Sequence, residues 1–280
     1  MSMFDTQEES VSAPVRGLGQ PFVLVTGGKG GVGKSTVAAN LATLFGRAKA
    51  RPLLVDLDFE LANLDILLGV EPGPRMGAYL SGKMSLTKCL VATPYGVNLL
   101  PAGSAASEEY KPVDSAARSR LLKGLRAVAP NHGLVIGDSA AGIGPEVLTF
   151  ASEADRVLVV TTPDPAALTD AYGVLKALDH WSRERELDVA TPELFVNFAA
   201  SADEAQRSVR GLVSASRRFL GRTPRVGGWM PRGRAVSQAI LGRRPFVVDA
   251  PKAPATRQLA RLAHRWADAL LSSSNLEKGS

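Results

Sequence analysis

The eleven residues Thr26-Gly-Gly-Lys-Gly-Gly-Val-Gly-Lys-Ser-Thr36 constrain this chain more than any other stretch. Counting from Gly28, four residues separate it from Gly33-Lys34-Ser35, the spacing at which successive backbone N–H groups wrap a chain of phosphates. Glycine is required because such a loop takes φ > 0 and brings its backbone within hydrogen-bonding distance of phosphate oxygens. Phe22-Val-Leu-Val25 before it suits a short buried strand, and Val37, Leu41 and Leu44 after it keep helical spacing. The candidate cradle therefore comprises Gly28, Lys29, Gly30, Gly31, Val32, Gly33, Lys34, Ser35 and Thr36. Lys34 is placed to reach the β- and γ-phosphates and Ser35 to ligate Mg²⁺, with the helix N-terminus adding partial positive charge.

Further apolar runs end in acids. Pro52-Leu-Leu-Val-Asp56 and Leu134-Val-Ile-Gly-Asp138 both read as strands that carry a carboxylate at their carboxyl end, where open α/β sheets bind ligands. Asp138 has the arrangement of a Walker B aspartate that supports Mg²⁺. Val157–Val160, Leu194–Asn197 and a run around Val226–Met230 supply later strands, and Pro165 suits a first helical turn. Gly46 sits where a cap for the first helix is expected.

These features fit one doubly wound, mostly parallel α/β sheet with helices on both faces. A chain of 280 residues that is 45% hydrophobic has enough apolar surface for one such domain, expected over 21–271 after a flexible lead over 1–20 and before a short polar tail over 272–280. No apolar run is long enough to span a bilayer and the N-terminus lacks the pattern of a signal peptide, which points to the cytoplasm. The single cysteine, Cys89, is read as a structural thiol. A formal net charge of +6, with Arg217, Arg218, Arg222, Arg225, Arg232, Arg234, Arg243 and Arg244 gathered late in the chain, admits nonspecific DNA contact. The last helix, from about Ala255 to Leu271, carries Leu259, Leu262, Trp266 and Leu270 on one face. That stripe is expected to pack on the sheet, so membrane contact is weak or absent.

Lys29, five positions before Lys34, makes the loop resemble the deviant Walker A of the MinD/ParA family of P-loop ATPases. Several further segments resemble the FlhG/FleN (YlxH) flagellar-number regulators within that family: Leu61-Ala-Asn-Leu-Asp65, Asp138-Ser-Ala-Ala-Gly-Ile143 and Pro163-Asp-Pro-Ala-Ala-Leu-Thr-Asp-Ala-Tyr172. The resemblance implies ATP/ADP and Mg²⁺ as ligands. It makes Lys29 a catalytic lysine supplied across an ATP-dependent homodimer, Asp58 the residue that orients the attacking water, and Asp56 a member of the Mg²⁺ network. The loops after Asp56 and Asp138 become switches I and II. Asn197 is implied as an adenine contact, and Pro231 lies near a second one, where this chain has Arg232-Gly233 in place of the acidic residue many relatives carry. Partners implied are a flagellar GTPase, C-ring proteins or a transcription activator, with recruitment to the cell pole or inner membrane face through them. Residues 1–20 lack the element with which many FlhG proteins stimulate the GTPase. The implied function is control of flagellar number or placement by a slow, dimerisation-coupled ATPase; the alternatives are a ParA-type DNA or cargo-positioning ATPase and a MinD-type division-site ATPase.

Overall fold

The computed structural model describes residues 17–71, 73, 75–102 and 113–271, with the side chain of Leu271 excluded. Positions 1–16 of the expected lead and the whole 272–280 tail lie outside the described residues. Along the chain run β1 (Phe22–Thr26), α1 (Lys34–Arg47), β2 (Pro52–Leu57), α2 (Leu64–Leu68), α3 (Met76–Leu80), β3 (Val91–Ala92), β4 (Asn98–Leu100), α4 (Ser115–Val128), β5 (Leu134–Ser139), α5 (Pro145–Glu153), β6 (Arg156–Thr161), α6 (Pro165–Glu184), β7 (Glu193–Ala199), α7 (Ala202–Phe219), β8 (Arg225–Pro231), α8 (Arg234–Leu241), α9 (Phe246–Asp249) and α10 (Pro254–Leu271).

The strands form one eight-stranded sheet in the order β3-β4-β2-β5-β1-β6-β7-β8, parallel except for β3. Every residue of β1, β2 and β5 is buried, as a parallel sheet covered on both faces requires. Alternation then decides which layer each side chain joins. Phe22, Leu24, Leu53, Val55 and Val135 face the layer that contains α4 to α7. Val23, Val25, Leu54, Leu134 and Ile136 face α1, α2 and α8 to α10. From β1 the chain crosses to β2 on one side and later returns to β6 on the other. The crevice at the carboxyl end of β1 is thus the topological switch point where such sheets bind ligands.

The last helix packs as its spacing predicts. Leu259, Leu262 and Trp266 are buried against the sheet, and the Trp266 indole N–H donates to Glu193 Oε2 at 3.1 Å, whose Oε1 is paired with Arg156 at 2.5 Å. Cys89 is buried, its thiol turned toward the Arg75 and Ser85 carbonyls.

One sequence expectation needs correction. Gly46 does not cap α1: it lies inside the helix, where an added Cβ would strike the Tyr95 carbonyl, and the left-handed residue after the helix is Lys49, φ 61°. Close approach of two backbones, not a turn, demands the glycine. The late arginines are distributed along the fold. Arg217, Arg218, Arg222 and Arg225 stand where β8 begins, whereas Arg232 and Arg234 follow its far end and Arg243 abuts Gly69 behind α2.

Candidate functional site

The loop between β1 and α1 is held from three directions. Beneath it, Gly28 packs against the backbone of Asp170 in α6 so closely that any Cβ would collide with that carbonyl. On one flank Asn197, at the end of β7 and 1% exposed, donates from Nδ2 to the Val32 carbonyl at 2.8 Å, and its Oδ1 accepts the Phe198 amide at 2.8 Å. On the other, the Gly142 amide donates to the Gly27 carbonyl at 2.9 Å, with Gly142 at φ 99° in the left-handed region that a glycine tolerates. The loop thus touches the segment after β5 and the end of β7 at once. Gly30 and Gly31 meet nothing within 4 Å on the side a Cβ would take, which leaves that backbone free to face a ligand.

Three carboxylates stand beside it. Asp56 and Asp138 are register partners on β2 and β5, so two buried acids lie side by side at the strand ends. Burial, then the charge of Asp138, pushes Asp56 well above the usual carboxylate range. Asp56 accepts the amides of Asp58, Asn63 and Leu64 at 3.2–3.4 Å, and Asp58 accepts those of Glu60 and Leu61 at 3.3 and 2.9 Å. These bonds shape the 58–64 loop.

Burial pushes Asp138 up to about 7, although the Ser35 hydroxyl and Lys34 ammonium beside it pull the other way. Both Asp138 oxygens are fully buried and take no hydrogen bond of ordinary geometry. Lys34 is 7% exposed and lowered by burial, partly offset by Asp138 and Asp58, and its Nζ reaches only its own loop, at Lys29 O, 3.4 Å. A buried ammonium and an orphaned buried carboxylate next to a serine hydroxyl are groups that lack a ligand. They fit a polyphosphate with its cation. The described residues contain no gathered set of three or more His, Cys, Asp or Glu side chains able to cage a metal. Mg²⁺ takes one or two protein groups and leaves the rest of its shell to phosphate and water.

Beyond the loop a cleft of ≈ 390 Å³ opens between Gly30–Val32, Pro163-Asp164, Phe198 and Arg232. Phe198 has φ 61° at an irregularity in the β7–β8 register, and the Arg232 guanidinium lies over its ring at 5.1 Å. A strained non-glycine residue at a ligand-facing strand end is a functional pointer that no sequence pattern supplied. Pro231, the last residue of β8, stands immediately before Arg232. Lys29 is half exposed and pairs with Asp164, the N-cap of α6, at 3.2 Å; this pairing too was not foreseen. Lys29 in turn holds the Asp164 carboxyl below its usual range.

The nucleotide-binding domain shared by CobQ, CobB, MinD and ParA matches residues 23–246. The chain belongs to the MinD/ParA family. Among curated relatives of this MinD/ParA ATPase, Antiactivator FleN of Pseudomonas aeruginosa is 31% identical over 87% of the chain and 85% of its own length. Flagellum site-determining protein YlxH of Helicobacter pylori is 35% identical over 55% of the chain and 52% of its own length. Among solved structures, MinD of Aquifex aeolicus superposes with a TM-score of 0.69 at 24% identity, over 88% of the chain and 95% of its own; that likeness establishes the fold.

Proposed function

We propose that residues 21–271 act as one ATP-dependent, dimerising regulatory ATPase in the cytoplasm that controls the number or placement of flagella. The observation that carries the flagellar part is the 31% identity with Antiactivator FleN over 87% of the chain, supported by the similarity to Flagellum site-determining protein YlxH. Neither MinD likeness nor fold alone supports it, since one fold hosts many functions.

The residues take these roles. Backbone amides of Gly30 to Thr36 hold the phosphates, and Lys34 neutralises the β- and γ-oxygens from within the fold. Ser35 and Asp138 would hold the cation, with Asp56 in its outer network, and Mg²⁺ would supply positive charge against the charge that develops on the phosphates. Asp58 orients the attacking water. Asn197 serves both the loop, through Val32, and adenine; Phe198 and Arg232 offer the base an aromatic and cationic wall beside Pro231. Lys29 acts across the dimer, as an arginine finger does, so that hydrolysis waits for assembly. Gly142 and the 58–64 loop carry the state of the γ-phosphate to the surface. Hydrolysis serves as a timer, and the partners are a second copy of the chain and a flagellar GTPase, C-ring protein or transcription activator.

Deletion of the gene in its source cell, followed by counting flagella in electron micrographs, tests this reading. Altered number or position, restored by the wild-type chain and not by Lys34→Ala, is expected. Unchanged flagella would refute the flagellar assignment and leave the nucleotide chemistry standing.

A further inference from the structure

The sheet ends at β8, whose outer edge has no neighbouring strand among the described residues. Between that edge and α10 runs a groove of ≈ 860 Å³ floored by Gly227, Gly228, Trp229 and Ala202. It shares no lining residue with the cleft beside the phosphate loop. Its helical wall carries Arg257, Arg261, His264 and Arg265, all exposed, with one acid, Asp268, at the far end.

The arginines recur every fourth residue. On an α-helix that spacing is a rise of about 6 Å, close to the roughly 6.6–6.8 Å between same-side residues of an extended chain. The ladder is therefore in step with carboxylates at every second position of a peptide laid along the groove. Each arginine keeps donors for this purpose. Arg265 gives one N–H to the Gly227 carbonyl and Arg257 one to Lys252 O at 2.6 Å, out of five donors on each guanidinium. Guanidinium forks match carboxylates bidentately.

The edge itself argues for a lodged peptide and against a ninth strand. The register slips between Leu194 and Phe195, Gly228 sits at φ 146°, and Arg265 occupies the Gly227 carbonyl. Bulges and inserted charges of this kind stop regular sheet extension. The groove offers Trp229 and the His264 imidazole but no more extended series of stacking rings of the kind on which single-stranded nucleic acid is held.

We propose that the β8–α10 groove is a docking site for an extended acidic segment of a partner protein, with carboxylates at alternating positions bound by Arg257, Arg261 and Arg265. It is independent of the nucleotide reading above.

Fluorescence anisotropy of the full chain with a labelled Glu-Thr-Glu-Thr-Glu-Thr-Glu peptide tests it. A Glu-Glu-Glu-Glu-Thr-Thr-Thr isomer and a twelve-residue oligothymidylate serve as competitors. Saturable binding of the alternating peptide, at least about five-fold tighter than the isomer, is expected, and Arg261→Glu should weaken it roughly ten-fold or more. Arg261→Ala should act in the same direction by less. Both variants must keep wild-type ATP binding and Tm, because Arg261 is exposed. Equal affinity for the two isomers, or unchanged binding by Arg261→Glu, would overturn the proposal and leave the arginines as guards of the sheet edge. Displacement by oligothymidylate at lower concentration than by the isomer would overturn it in favour of nucleic acid.

Discussion

Lys29 Nζ sits 3.2 Å from Asp164 Oδ2 at the start of α6, so the lysine proposed to act on a second subunit is held by its own. Asp164 also caps α6 by accepting the amides of Ala166 and Ala167. Asp164→Asn keeps a capping side chain and removes the charge. For an exposed pair the effect is modest: ATP-dependent dimerisation should strengthen about two- to five-fold, with basal hydrolysis rising alongside. Sedimentation velocity across an ATP titration checks this, and an unchanged dimer fraction would show that the pair does not compete with assembly.

The two lysines and Asp58 separate binding from chemistry. Lys34→Ala should lose ATP binding outright. Asp58→Ala should bind ATP, dimerise and hydrolyse at least roughly a hundred-fold more slowly, because general-base positioning contributes on that scale. Lys29→Ala should bind ATP as a monomer. Isothermal titration and phosphate release on the three variants decide the matter; wild-type turnover by Asp58→Ala would remove it from its assigned role.

Asp138 makes the stability of the ligand-free protein depend on pH. Its folded pKa of about 7 lies above the ordinary carboxylate value. Between about pH 4 and 7 the folded state therefore holds a proton that the unfolded chain has lost, and stability falls as pH rises through that window. Below it both states are protonated and the effect vanishes. Asp56, raised in the same direction by burial and then by the charge of Asp138, adds to the slope. Asp138→Asn should flatten the curve and raise the ligand-free Tm above pH 7 by the order of 5 °C, while abolishing Mg²⁺-dependent hydrolysis. Thermal melts from pH 4 to 8, with and without Mg·ATP, read both effects.

Asn197→Ala removes the donor to Val32 O, which is buried, and the acceptor for the Phe198 amide, which is partly buried. Leaving those groups unpaired should cost about 1–3 kcal/mol and weaken ATP binding, since the phosphate loop loses a brace. Urea denaturation combined with nucleotide titration separates the two losses. Stability lost with affinity intact would confine Asn197 to holding the loop.

Much of this was legible in the sequence where the cause is local. The apolar run Phe22–Val25, the glycine loop and the Val37–Leu41 spacing specify strand, turn and helix within one stretch of chain, and the acids of Asp56 and Asp138 lie at strand ends that apolar runs define. What escaped depends on partners far along the chain. Asp164 meets Lys29 and Asn197 meets Val32 across more than a hundred residues, and neither pairing leaves a periodic signal. Gly46 was misread for the same reason: the carbonyl that forbids its side chain belongs to Tyr95. The left-handed Phe198 is invisible to propensity, which disfavours a bulky residue there.

The strand order has a consequence for synthesis. β1 is the first strand made, yet both of its neighbours, β5 and β6, are encoded more than a hundred residues later. At cellular rates of about 5–20 residues per second, the strand that carries the phosphate loop spends roughly 5–20 s outside the ribosome with both edges bare. The strand that carries the phosphate loop thus waits for both of its native neighbours, and the centre of the sheet is completed only in the second half of synthesis.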